Sequence, residues 1–97
     1  FVGTGMILGT FIKQPADITD YDVEYQEWLP EGDTLLETQV TVVPDTITIQ
    51  MARVVDHRVN IWLEGGEVGT TYKFTVTTTT TQGRVRQDEF RVKIKDY

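Results

Sequence analysis

The side chains that could do chemistry are few, and their spacing narrows what that chemistry could be. Asp20, Asp22 and Glu24 occur at every second position, which places three carboxylates on one face of a strand. Hard oxygens so arranged could hold calcium, but calcium sites usually also draw on loop carbonyls, and this spacing matches no loop motif. The preferred reading is a solvated acidic face, or one turned towards Arg91, Lys93 and Lys95. The single histidine, His57, sits between Asp56 and Arg58; it reads as a surface group, because a general base needs a nucleophile or pocket beside it. The chain contains neither cysteine nor serine, so it has no disulfides and lacks two large classes of nucleophile. Aspartate and glutamate are plentiful enough for a glycosidase pair. A chain of 97 residues with its core committed to packing leaves little room for a substrate cleft. The expectation is no catalytic residue, no metal site, no cofactor and no enzymatic activity.

Three residues stand out as contact candidates instead. Trp62 lies between Ile61 and Leu63, so in a strand it points away from both. Two readings are open: an exposed anchor for a partner, or a ring covering a neighbouring loop or strand. Arg84 follows Gly83 at a hairpin tip, with Arg86 behind it. They could form a finger reaching a neighbouring subunit, or pair with an acidic strand and stay in solvent.

The elements that must carry these residues are strands. Threonine, valine and isoleucine dominate, and β-branched side chains suit a pleated, half-buried surface. Alternation and turn chemistry predict strands over 6–13, 20–28, 34–43, 46–53, 59–63, 71–80 and 84–95. The first could lie at an edge. In the third, Leu36, Thr38, Val40 and Val42 share a face, with Leu35 and Val43 opposite; in the fourth, Ile47, Ile49 and Met51 point inward. Pro30-Glu31-Gly32-Asp33, Pro44-Asp45, Gly65-Gly66 and Gln82-Gly83 supply turns. Seven short strands at a spacing of about 8–12 residues imply an all-β, seven-stranded antiparallel immunoglobulin-like β-sandwich. Tyr72 opens the sixth strand after a glycine corner. In immunoglobulin-like domains such a tyrosine bonds back to the main chain at the corner between the sheets. A plain core tyrosine with its hydroxyl in solvent is the alternative.

Length allows one domain, taken as residues 6–97. Residues 1–5 precede Met6 and read as an expression remnant or a frayed end. No apolar run approaches the ~20 residues of a membrane span. Net charge is −6, which argues against a nucleic-acid partner. The charge is uneven: residues 1–50 hold nine acids and one base, and residues 51–97 six acids and eight bases. Either strands from the two halves pair or face one another within one sandwich, or an acidic face of one subunit meets a basic face of the next.

Several motifs, in order, resemble the bacteriophage fiber-tail adaptor proteins: Gln14-Pro15, Asp20-Tyr21-Asp22-Val23, Trp28-Leu29 and Gly32-Asp33-Thr34; then Ile61-Trp62-Leu63-Glu64-Gly65-Gly66, Gly69 and Tyr72; then the threonine-rich strand closing on Gly83-Arg84, and Phe90-Arg91-Val92. They span residues 14–92. Glu64 departs from the pattern, which often has a smaller residue there, and residues 35–55 carry no matching motif. The resemblance implies a structural component of a phage or prophage virion, placed in the tail or neck and made in the bacterial host cytoplasm. Its implied partners are other tail or neck proteins and fiber or spike subunits, with self-association in a ring as a further option. The resemblance carries over no catalytic residue. A second reading is an immunoglobulin-like recognition module for a carbohydrate or host-surface ligand, which calls for an exposed aromatic platform built from Trp62 and a tyrosine.

Overall fold

Residues whose apolar side chains alternate along the chain form seven strands in a computed structural model that describes residues 6–96, with the side chains of 6–8 left aside. The expectation for residues 1–5 lies outside the described residues. The strands are β1 (Met6–Lys13), β2 (Ile18–Glu24), β3 (Leu35–Val43), β4 (Ile47–Val55), β5 (Arg58–Gly65), β6 (Thr71–Thr80) and β7 (Val85–Ile94). They make two sheets, one ordered β1-β7-β6-β3 and the other β2-β5-β4. Among the described residues there is no helix, and so none long and apolar enough to cross a membrane.

The inner faces of the two sheets meet over one apolar core. Val59, Ile61 and Leu63 of β5 face Tyr72, Phe74 and Val76 of β6 and Phe90, Val92 and Ile94 of β7, all buried. Each such side chain contributes about 1.5–3 kcal/mol through removal from water. Phe74 and Phe90 stack at a centroid distance of 4.8 Å. Period two in β5, β6 and β7 therefore has a direct physical source: these are the strands buried on one side along their whole length.

The expectation of an all-antiparallel sandwich needs correction. β1 runs parallel to β7, with Phe11 beside Val92 and Lys13 beside Ile94. Alternation reports which face a side chain takes, and is silent on the partner strand and its direction. A parallel pair needs only a long connection, and here that connection is the whole chain between the first and last strands. The Lys95 N–H donates to the Lys13 carbonyl at 3.0 Å, extending the pairing beyond β7.

Two further differences have a common cause. Leu36 is exposed and Leu35 buried, because the register between β3 and β6 shifts between Leu35 and Glu37. Met51 is exposed, because the register between β4 and β5 shifts between Ile49 and Met51. An extra residue in one strand rotates all that follows to the other face. Thus Ala52 and Val54, not Met51, continue the inner row of Ile47 and Ile49.

Of the two readings of the acidic strand, the solvated face is the one the structure has, and strands from the two halves of the chain do pair, β1 with β7, β2 with β5 and β3 with β6. Asp20, Asp22 and Glu24 project from the outside of the three-stranded sheet, and Arg91 and Lys93 from the outside of the four-stranded sheet. They do not face one another, because the core lies between them.

Candidate functional site

At the corner between the sheets, the tyrosine expectation is met. The Glu67 N–H donates to the Tyr72 hydroxyl at 2.8 Å. The hydroxyl's own proton is left for Thr46 Oγ1, 2.6 Å away. One buried side chain thereby ties together the β5–β6 corner and the start of β4. Gly66 makes this path possible: its φ is +106°, and a Cβ there would lie 2.7 Å from Ile94 Cγ1.

The β6–β7 hairpin carries Arg84, and its geometry is that of a lock. Asp33, buried in the β2–β3 loop, accepts from the N–H of Thr34 at 3.0 Å, from Thr81 Oγ1 and the Gln82 N–H at 3.2 Å each, and from an Arg84 guanidinium nitrogen at 2.9 Å. Burial alone would raise the Asp33 carboxyl; hydrogen bonds from Thr80, Arg84, Gln82 and Thr81 outweigh it and hold it below the ordinary carboxylate range. The Arg84 side chain remains 43% exposed, although its Nη1 donates to Asp33 and to Gln82 Oε1.

Arg86 points the opposite way. Its Nε donates to both carboxylate oxygens of Asp88, at 3.1 and 3.0 Å, and its guanidinium carbon lies 5.5 Å from the centroid of Trp28. Trp28 in turn packs edge-on against Tyr25 at 5.9 Å, and Thr78 Oγ1 donates to the Tyr25 hydroxyl at 3.1 Å. Burial pushes the Tyr25 hydroxyl up to about 12. This end of the interior is polar and fully paired: among the described residues, no buried side-chain nitrogen or oxygen lacks a partner.

Trp62 lies half-buried on the outside of the three-stranded sheet, in register with Asp20 on one side and Met51 on the other. No tyrosine stands beside it in that row. Asn60, in the next row, donates to Asp20 and Asp22 at 2.9 and 2.8 Å. The three candidates thus occupy three surroundings: an outer sheet face, a hairpin tip and an interior end. His57 is exposed. Among the described residues, no group of three metal-ligating side chains comes together.

Sequence reasoning missed two features. The first is Lys13, whose ammonium is buried and donates to the carbonyls of Gly65 at 2.7 Å and Gln14 at 2.9 Å. Burial lowers its pKa, opposed by Asp17 and Glu64. A lone lysine in an apolar alternation, Phe11-Ile12-Lys13, was the available signal. The second is an open seam of about 220 Å³ between β1 and β2, lined by Phe11, Tyr21, Val23 and Phe90 with Asp20 and Asp22. Phe11 points inward yet remains 41% exposed, and its ring lies 5.1 Å from Tyr21 and 6.2 Å from Phe90. A second, polar groove of about 280 Å³ lies along β3 and β6, between Glu37, Thr38, Gln39, Thr77 and Thr79.

No curated protein matches this chain. Among solved structures, it is similar to a 2,6-sialyltransferase of Vibrionaceae Photobacterium sp. JT-ISH-224, crystallised with the donor product CMP and the acceptor substrate lactose. The TM-score is 0.52 at 9% identity, over 97% of this chain and 18% of that one. At that identity the likeness is one of fold alone, and the chain spans under a fifth of the enzyme's length. The family model for the podophage GP4 fiber-tail adaptor protein gp77 matches residues 13–93. That stretch takes in the end of β1 and almost all of the other six strands, so the chain belongs to the podophage GP4 fiber-tail adaptor protein gp77 family.

Proposed function

We propose that this protein joins fibers or spikes to the phage tail as a rigid spacer, without turnover, and that residues 6–97 act as one module. Family membership makes it a structural component of the virion tail that works through contacts with other tail proteins. The observation that carries the mechanical part is the use made of its buried polar groups. Asp33, Lys13 and Tyr72 each fix a loop, corner or strand end to its neighbour. Such groups stiffen the scaffold and leave shape, loops and strand edges as the working parts.

The sheet order supports an immunoglobulin-like reading. Counting the strands as A to G, the three-stranded sheet has the order B-E-D and the other contains C-F-G, as in a constant-type domain, with A moved to the edge of G. The tyrosine corner at the sixth strand supports the same reading. Self-association in a ring belongs to this proposal, as do synthesis in the host cytoplasm and the lack of a nucleic-acid partner. Trp62, Arg84 and Arg86 remain the contact candidates, with Arg84 better placed than Arg86 because half of its side chain meets solvent. No specific observation favours the carbohydrate-binding alternative.

Deleting the gene from the parent phage tests the proposal. The expected result is particles with tails that lack fibers, restored by the protein supplied in trans. Deletion particles with a full set of fibers would overturn it.

A further inference from the structure

One strand row on each outer face of the sandwich carries charge opposite to a row on the other. On the four-stranded sheet, Lys73 stands directly opposite Arg91, with Lys93 in the next outward row. Like charges opposite one another on a sheet repel, and Glu89 is the acid that holds both, at 3.9 Å from Lys73 and 3.2 Å from Arg91. Among the described residues, Lys93 has no ion pair within 4.0 Å. Exposed apolar side chains flank this basic cluster: Val43, 64% exposed, is in register with Lys73, and Ile12, 53% exposed, with Lys93.

On the outer face of the other sheet the acids gather along β2. Asp20, Asp22 and Glu24 run along that strand; Arg58 stands in register with Glu24 and Arg53 with Asn60, yet among the described residues none of the three acids has an ion pair within 4.0 Å. Beside them lie Trp62, Met51 and Ile18, the last two exposed. Alternate side chains of a strand lie about 6.6 Å apart whichever sheet they belong to. Arg91 and Lys93 therefore match the spacing of Asp20 and Asp22, and the row Asp20, Trp62, Met51 can lie over the row Arg91, Lys73, Val43.

We propose that a second copy of this chain is the partner of these faces: the Lys73, Arg91 and Lys93 face of one copy seats on the Asp20, Asp22 and Glu24 face of the next, with Trp62 over Lys73 and Met51 packing against Val43. This deepens the self-association in the adaptor reading and rests on it. The two patches differ and lie on opposite sides of the molecule, so the contact is heterologous. Repetition then gives a ring if the rotation closes and a filament if it does not.

Sedimentation equilibrium of the full chain tests this at low and high ionic strength, about 20 mM and about 500 mM, since screening weakens exposed charge pairs. The expected result is an apparent mass that rises with protein concentration at low salt and falls back to the monomer at high salt. Asp20→Lys with Asp22→Lys, or Arg91→Glu with Lys93→Glu, should each weaken association by at least about tenfold. Mixing the two double variants, or placing all four substitutions in one chain, should restore it. Thermal melts check that each variant folds, and the wild-type salt series needs no variant. A wild-type chain that stays monomeric at low salt overturns the inference, as does association that neither salt nor charge reversal alters. The adaptor reading is tested separately by fiber loss from deletion particles: a monomeric chain whose deletion still strips fibers removes this inference alone, and intact fibers remove the adaptor reading whatever the sedimentation shows.

Discussion

Tyr72 shows how one hydroxyl can fix a whole corner. It accepts from the Glu67 N–H and leaves its proton for Thr46, so Tyr72→Phe removes two bonds while keeping the ring in the core. Loss of about 1–2 kcal/mol of unfolding free energy is expected, read by urea denaturation. Tyr25 gives a pH signature instead. Its hydroxyl is raised to about 12 by burial, whereas in the unfolded chain it titrates near ~10. A raised folded value means that the stability it contributes is whole below ~10 and is lost as pH climbs through about 12. Urea midpoints should fall over that window in the wild type, and Tyr25→Phe should flatten the fall. Asp33 works at the other end: its lowered carboxyl contributes stability above the ordinary carboxylate range that is lost as acid protonates it. Residue chemistry was partly legible in sequence. The tyrosine announced itself by its place after a glycine corner, whereas Asp33 stood in a composition that reads equally as solvent-exposed turn.

At the scale of elements, the strands buried along one whole face were the readable ones. In β5, β6 and β7 the inner rows Val59-Ile61-Leu63, Tyr72-Phe74-Val76 and Phe90-Val92-Ile94 follow strict period two. In β3 the pattern misleads only at Leu35 and Leu36, Val40 and Val42 facing the core as it implies, and in β4 it misleads from Met51 onward, because a bulge is a property of the pairing, and the partner strand is invisible to a local pattern. The corner between β5 and β6 depends on Gly66. A methyl group at this position would collide with Ile94 and also force a side chain into a positive-φ backbone. Gly66→Ala should therefore cost about 2–4 kcal/mol, combining overpacking with backbone strain. Gly69→Ala meets no neighbour within 4 Å and carries only the backbone component at φ +85°, so it should cost roughly 1 kcal/mol. A pair of urea denaturation curves separates the two.

For the whole molecule, the sequence carried the layer architecture and the uneven charge, but not how the halves meet. Which strands are neighbours depends on the path of the chain in space, and no window of alternation contains that. Lys13 is the clearest case: read along the chain it breaks an apolar run, and in space it bridges the end of β1 to the Gly65 carbonyl in the other sheet. Lys13→Met keeps the length and apolar bulk of the stem and deletes the charged bond, leaving the Gly65 carbonyl without that donor. A loss of about 1.5–3 kcal/mol is expected in denaturant unfolding, with faster amide exchange concentrated in β1.

The parallel pairing of β1 with β7 has a mechanical consequence. Met6 lies beside Asp88 and Lys13 beside Ile94, so the start of β1 and the finish of β7 are at opposite ends of the pair. Tension applied between those two points drags one strand lengthwise past the other. Every rung of the ladder then bears load together, whereas an antiparallel pair pulled from adjacent ends would unzip rung by rung. A tail component loaded through those two strand ends would resist tugging by shear across the whole β1–β7 ladder.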